Sequence, residues 1–419
     1  MNSKKFLAFT MAAAMTLSLA ACGGNGGGAG SSGGSSASGS TGDTSTGGVT
    51  AGTTVKEVVD PTGAAFKIGA TGPLTGDASI YGLAAYRGAQ IAVNEINSEG
   101  GDIQFELNYQ DDQNVPETAV NAYNNLKDWG MQISLGSVTT QPGIATSQYN
   151  FEDRIFALTP SASSPDVIAN KDNVFQMCFS DPNQGSGAAT YMGSNMPDAK
   201  VAVIYRNDDQ YSQGIRDTFV AEAENQNLEV VYEGTFTVDT QADFSVQLTA
   251  AQSAGADVIF LPIYYQQASQ ILNEANTLGY EPVFFGCDGM DGILSIDGFD
   301  TTVANGLMLL CPFSAYGEDE TTTTFVSAYE TAYGDTPNQF AADAYDCVYA
   351  IYQCVKDGTI TADMSASDMC DALKSAFTSM SFSGTTGENQ TWSADGTISK
   401  EPKVYQVQDG AYALVSGEE

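Results

Sequence analysis

Between residues 66 and 285 the chain runs twice through one alternation of short apolar segments and amphipathic ones, which admits few architectures. Residues 66–70, 105–109, 133–135 and 155–158 read as strands. Residues 84–96 and 116–129 read as helices, with a third helix before the last of those strands. The second round opens with Val201-Ala202-Val203-Ile204-Tyr205, an unbroken apolar run expected of a strand buried on both faces of a parallel sheet. Helices at about 212–225, 243–254 and 267–278 then alternate with strands at 228–232, 258–261 and 283–285. A strand at 307–311, a helical region over about 322–377 and strand-like pieces at 404–407 and 412–415 follow. This rhythm predicts an α/β fold of two doubly wound parallel-sheet lobes. Ligands of such sheets bind beyond the carboxyl ends of the strands, and two lobes can present those ends to each other across a cleft.

The first fifty residues fix where this body works. Lys4 and Lys5 precede an apolar run, 6–21, that is too short for a good spanning helix and ends in Leu19-Ala20-Ala21-Cys22-Gly23. That is the layout of a secretory signal peptide over 1–21. The small residues before Cys22 resemble the lipobox of bacterial lipoproteins, which implies lipidation of Cys22 after cleavage. Residues 22–64 are mostly Gly, Ser, Thr and Ala and bury too little to fold, so they read as a flexible tether. Gly28-x-Gly30-x-x-Gly33 matches a dinucleotide-binding pattern, but no strand precedes it and no helix follows. The expected location is extracytoplasmic, with the body held to the cell membrane by a lipid at Cys22.

Composition removes several function classes. The net charge of −36 repels nucleic acid and anionic lipid. The chain has no histidine, which removes Ser-His-Asp and Cys-His catalysis and the commonest zinc ligand. The body, 65–416, also lacks a Gly-x-Ser-x-Gly elbow, so no enzyme activity, metal or cofactor is expected. Beyond Cys22, the cysteines at 178, 287, 311, 347, 354 and 370 form no Cys-x-x-Cys pair and read as small buried hydrophobes.

The candidate site lies at strand ends. Two hydroxyl-rich turns lead toward proline: Ser137-Val138-Thr139-Thr140-Gln141-Pro142 and Thr159-Pro160-Ser161-Ala162-Ser163-Ser164-Pro165. Each predicts a helix N-terminus, whose free N–H groups and partial positive charge suit a carboxylate. The blander alternative is that the hydroxyls only cap their helices. In the second round, Gly286-Cys287-Asp288-Gly289-Met290-Asp291 follows a strand. Asp288 is placed to pair with a ligand ammonium and Tyr264 to cover it with its ring. Asp291 is the competing acceptor. The acidic cluster at 288, 291, 297 and 300 lacks EF-hand spacing. A carboxylate receptor in one lobe and an ammonium receptor in the other describe an α-amino acid site that only the closed form completes.

Several stretches also resemble the branched-chain amino acid (Leu/Ile/Val) substrate-binding proteins of ABC transporters, which have the type I periplasmic binding protein fold. They are Gly72-Pro73-Leu74-Thr75-Gly76 with Tyr81-Gly82, residues 89–101, the 159–165 turn, Asp181-Pro182-x-Gln184-Gly185, Asp209-x-Tyr211-Ser212-x-Gly214, Tyr264-Tyr265 and Asp288-Gly289. The resemblance implies three chain crossovers between the lobes. It also implies one lobe of 65–183 plus 313–385 and another of 184–312 plus 386–416. It implies that the Thr140 hydroxyl and the Ser163 N–H and hydroxyl hold the ligand carboxylate, with Ala162 between Ser161 and Ser163. By the same resemblance the Ser161 carbonyl and the Asp288 carboxylate receive the ammonium. Tyr81 and Tyr211 then border the side chain, and Tyr264 touches the ligand from the second lobe. Asp288 stands where the best-known enteric members carry Glu, and Thr139 replaces one partner of a short disulfide in their first lobe. The implied partners are a free amino acid and the permease subunits of an ABC transporter, with the protein itself a monomer. The alternative on the same fold is another small solute, such as urea, a short amide or an aromatic acid.

Overall fold

The computed structural model describes residues 58–416. The expected signal peptide, Cys22 and the tether as far as residue 57 lie outside the described residues.

The first sheet holds β1 (Phe66–Gly72), β2 (Phe105–Asp111), β3 (Ile133–Ser137), β4 (Phe156–Thr159) and β5 (Val174–Gln176). All are parallel, in the order β2-β1-β3-β4-β5. Helices α1 (Ser79–Ser98), α2 (Pro116–Trp129) and α3 (Thr140–Glu152) make the connections. Pro116 opens α2, where its missing N–H costs nothing, and Gly130 closes it at φ 94°.

The chain then crosses to the second lobe. There α4 (Asp181–Asn195), β6 (Lys200–Arg206), α5 (Gln210–Gln226), β7 (Glu229–Phe236), α6 (Ser245–Ala254), β8 (Val258–Leu261), α7 (Tyr265–Leu278), β9 (Val283–Gly286) and β10 (Met308–Cys311) repeat the pattern. The apolar run 201–204 is fully buried in β6, as a strand covered on both faces requires.

A second crossing returns the chain to α8 (Glu320–Tyr333), α9 (Gln339–Val355) and α10 (Ala366–Phe377), then to a small hairpin, β11 (Phe382–Gly384) and β12 (Gly387–Gln390). Helix α9 packs along α1, and α10 packs on β4. Gly88 of α1 faces the Ala341 carbonyl so closely that a Cβ would overlap it. Gly185 of α4 meets the backbone of α5 in the same way. A third crossing carries β13 (Lys403–Gln408), antiparallel beside β10, and β14 (Ala411–Ser416). The second sheet has the order β14-β13-β10-β9-β8-β6-β7.

Two lobes with mainly parallel sheets and three crossings match the expected fold. The expected single helical region is three helices. Gly334 ends α8 at φ 76°, and the Asn338 side chain starts α9 by accepting the Ala341 N–H. Ser365 starts α10 by accepting the Asp368 N–H. All six cysteines of the described residues are buried and unpaired. Among the described residues no helix is long and apolar enough to cross a membrane.

Candidate functional site

Helix α3 opens at Thr140, just past the carboxyl end of β3, and has no side-chain cap. The Thr139 and Thr140 hydroxyls are buried without a protein hydrogen-bond partner. They lie beside the first N–H groups of the helix, which have no carbonyl four residues back.

The loop after β4 is fixed largely from within. Ser161 Oγ donates to the Val138 carbonyl at 2.6 Å. Thr159 Oγ1 donates to the Ser137 carbonyl at 2.7 Å and accepts the Ala162 N–H at 3.0 Å. Gln176 Nε2 donates to the Ala162 carbonyl at 2.8 Å. Both backbone groups of Ala162 are thus engaged in holding the loop. The Ser163 hydroxyl is buried and makes no hydrogen bond of ordinary geometry. The Ser163 carbonyl accepts the N–H of Asp181, the first residue of α4.

The helix expected to begin at Pro165 is a single 3-10 turn, Pro165–Val167, in which Ser164 Oγ accepts the Asp166 N–H at 3.3 Å. The chain turns away at Asn170, with φ 60°. Of the two helix N-termini expected from these turns, that of α3 forms and that at Pro165 does not.

In the second lobe Asp288 follows β9 and is 4% exposed. Its Oδ1 accepts the Tyr211 hydroxyl at 2.6 Å, and that hydroxyl accepts the Gly289 N–H at 3.0 Å. The Asp288 N–H donates to Gln184 Oε1 at 3.0 Å. Burial pushes the Asp288 carboxyl up to about 6, while the Tyr211 hydroxyl and the Gln184 amide pull it back. The Tyr81 ring meets the Tyr264 ring edge-on at 5.3 Å, and Tyr211 lies 5.1 Å from Tyr264. These rings, from α1, α5 and the residue before α7, form one wall beside Asp288.

The structure thus joins Tyr81, Tyr211, Tyr264 and Asp288 directly. Ser163 connects to them through Asp181, whose carboxylate interacts electrostatically with Asp288 and Tyr264. Thr140, Ser161 and Ala162 lie on the adjoining strand-end loops. Asp291, the competing acceptor, is committed elsewhere: its Oδ2 accepts the Gln339 N–H at 2.7 Å. Sequence reasoning assigned no role to Gln184, Asp181 or Gln339. The motif Asp181-Pro182-x-Gln184-Gly185 was a visible signal for the first two, whereas nothing near Gln339 singled it out. Asp181 is fully buried, and burial raises its pKa against the pull of the Ser163 hydroxyl.

The first lobe thus supplies buried hydroxyls beside the α3 N-terminus, and the second lobe supplies the buried Asp288 carboxylate. Known proteins resemble this chain in sequence and in fold. Leu/Ile/Val-binding protein homolog 3 of Brucella melitensis is 32% identical over 227 residues, covering 53% of this chain and 61% of that protein. The leucine-, isoleucine-, valine-, threonine-, and alanine-binding protein of Pseudomonas aeruginosa is 27% identical over 292 residues, covering 68% and 76%. This chain therefore spans about three-fifths to three-quarters of the length of these relatives. The solved branched-chain amino acid transporter substrate binding protein LivJ of Streptococcus pneumoniae, in complex with isoleucine, superposes with a TM-score of 0.75 at 26% identity, covering 83% of this chain and 97% of that one. The periplasmic binding protein profile matches residues 65–411, and with that match the chain belongs to the periplasmic binding protein family.

Proposed function

We propose that this protein captures a free α-amino acid, a branched-chain one by preference, by closing its two lobes outside the cytoplasm, and delivers it to the permease subunits of an ABC transporter. The observation that carries this reading is the pairing of opposite receptors. The buried, unpartnered Thr140 hydroxyl at the α3 N-terminus and the buried Ser163 hydroxyl on the next strand-end loop suit a carboxylate. The buried Asp288 carboxylate, held by Tyr211, suits an ammonium.

In this reading Thr140 and Ser163 bind the ligand carboxylate, and Asp288 with the Ser161 carbonyl binds the ammonium. Ala162 shapes the loop, and Tyr81, Tyr211 and Tyr264 lie along the aliphatic side chain. None of the three wall residues is cationic, and Arg206, which acts on Tyr264 electrostatically, is paired with Asp208. The ligands for which the relatives are named, Leu, Ile and Val among them, support the same ligand class. The protein acts as a carrier and not as an enzyme. The proposal keeps 1–21 as signal peptide, Cys22 as lipid anchor and 22–64 as tether. The lobe limits stay at 65–183 plus 313–385 and 184–312 plus 386–416.

Calorimetric titration of ligand-stripped protein with Leu, Ile, Val, Phe, Glu, Lys, urea and benzoate tests the reading. Saturable binding of Leu, Ile or Val is expected, with Glu and Lys silent. Binding of Glu or Lys with the aliphatic amino acids silent removes the branched-chain assignment. Binding of urea or benzoate alone moves the chain to the other solute class.

A further inference from the structure

The turn that carries Asp288 does more than end a strand at the cleft. It runs on into the first lobe, and its next acidic residue, Asp291, is 2% exposed. Asp291 Oδ2 accepts the backbone N–H of Gln339 at 2.7 Å. Gln339 is the first residue of α9, a 17-residue helix whose own N-cap, Asn338, accepts from Ala341. The Gln339 N–H is one of the donors a helix leaves without an internal partner, and the positive end of α9 favours an anion there. A residue of one lobe therefore caps a helix that packs in the other.

Four further contacts surround this one. Gln339 Nε2 donates to the Asp288 carbonyl at 2.7 Å. The Tyr81 hydroxyl of α1 donates to the Gly289 carbonyl at 2.5 Å and accepts the Tyr265 N–H at 3.2 Å. Gly292 has a φ of 104°, and its open Cα side lies against Ile80 of α1. A side chain at 292 would be strained by that backbone and would push the two lobes apart. Within its own lobe Asp291 also meets the Gly292 N–H, the neighbouring Tyr412 hydroxyl and, at 3.9 Å, the Cys311 thiol. The thiol is a weak donor, and the Gln339 N–H at 2.7 Å is the shortest bond Asp291 accepts among the described residues.

We infer that Asp291 is an interlobe latch: by capping α9 from the opposite lobe it holds the Asp288 turn in its ligand-receiving position and favours closure before ligand arrives. Asp291 is a positioning residue in this role, since it acts on ligand only through the turn it shares with Asp288. Closure lets a single four-residue segment receive the ligand ammonium with one side chain and grip the first lobe with another. The inference rests on the amino-acid reading for its effect on affinity, though not for its effect on lobe closure.

The test uses the mature protein and three variants. Asp291→Ala removes the cap, Asp291→Asn keeps an oxygen that accepts the same N–H, and Gln339→Ala removes the bond to the Asp288 carbonyl while leaving the Asp291 cap. Small-angle scattering of ligand-free protein reads closure directly. Ligand-free wild type and Asp291→Asn are expected to share one radius of gyration, between those of ligand-free Asp291→Ala and of the isoleucine complex. Asp291→Ala is expected to be more extended, and to compact again at saturating isoleucine. Apparent affinity falls in proportion to the closed fraction, so Asp291→Ala should bind isoleucine about tenfold more weakly or worse. The ranking of Leu, Ile and Val should not change, because the latch touches no ligand. Gln339→Ala should shift both readouts in the same direction, and it carries the test if Asp291→Ala does not fold. A wild-type protein that is fully open without ligand overturns the inference, as does Asp291→Ala that scatters like wild type. An Asp291→Asn variant as open as Asp291→Ala does the same. If wild type binds no amino acid but the scattering follows this pattern, the latch stands and the amino-acid reading falls.

Discussion

The Tyr211 hydroxyl sits between Asp288 and its own turn, donating to Oδ1 at 2.6 Å and accepting the Gly289 N–H at 3.0 Å. One phenol thereby fixes both the carboxylate and the backbone that presents it. Hydrogen bonds to charged groups contribute about 1.5–3 kcal/mol. Tyr211→Phe keeps the ring against Tyr264 but releases Asp288, so amino acid binding should weaken by roughly one to two orders of magnitude. Asp288→Ala should cost more, about 3–5 kcal/mol, because the ligand ammonium is then buried without its counter-charge. Calorimetry on both variants checks the order. Equal affinities for wild type and Tyr211→Phe would show that the phenol does not position the carboxylate.

Binding should also depend on pH with a definite sign. Burial pushes Asp209, Asp288 and Asp291 up to about 6 from the ordinary 3.8. A carboxyl raised in the folded state holds its proton more tightly there than in the unfolded chain. Its contribution to stability is present below the unfolded value and is lost as pH rises through about 6. These groups therefore make ligand-free protein less stable at pH 7.5 than at pH 5. The ligand ammonium needs ionised Asp288, so affinity moves the other way and tightens over that window. The increase in thermal midpoint on adding isoleucine should be larger at pH 7.5 than at pH 5. A larger increase at pH 5 would remove Asp288 as the ammonium partner.

Much of the fold was legible because its strands are buried on both faces. The run 201–204 has no polar residue to confuse its reading. The breaks inside the helical region were harder, although Gly334, Pro337 and Asn338 mark the first of them in the sequence. The three-residue strands β5 and β11 are too short to show any period. At the site, Thr140, Ser163 and Asp288 were legible as strand-end residues with the right chemistry. Residue chemistry alone left Asp291 as a competitor of Asp288, because both are acidic residues of one turn, and it was the family resemblance that favoured Asp288. What separates them is α9, brought over from much later in the chain to receive Asp291. The expected helix at Pro165 failed for a local reason: the proline starts a turn, and Asn170 in the left-handed region ends it.

The anchor can be tested apart from the body. If Cys22 carries the lipid, Cys22→Ser should leave the membrane fraction while keeping its ligand affinity. Fractionation together with mass measurement of the mature N-terminus checks this. A Cys22→Ser protein that still carries lipid would place the anchor elsewhere.

The hydroxyl of Thr140 separates a ligand site from a helix cap. A cap stabilises its helix, so removing one costs about 0.5–2 kcal/mol of stability. Yet α3 has no side-chain cap, and the Thr140 hydroxyl is buried with no protein partner. An unsatisfied buried polar group costs roughly 1–3 kcal/mol, so Thr140→Val, which swaps the hydroxyl for a methyl of similar shape, should raise the stability of ligand-free protein. The same change removes a donor to the ligand carboxylate and should weaken binding about tenfold or more, given about 1.5–3 kcal/mol for a hydrogen bond to a charged group. Ser163→Ala should show the same pair of opposite signs, with a smaller gain in stability because alanine leaves a small void. Denaturant unfolding without ligand and calorimetry with isoleucine measure the two halves. A variant that loses stability and keeps its affinity would return Thr140 to the helix, and the carboxylate receptor would have to be sought away from α3.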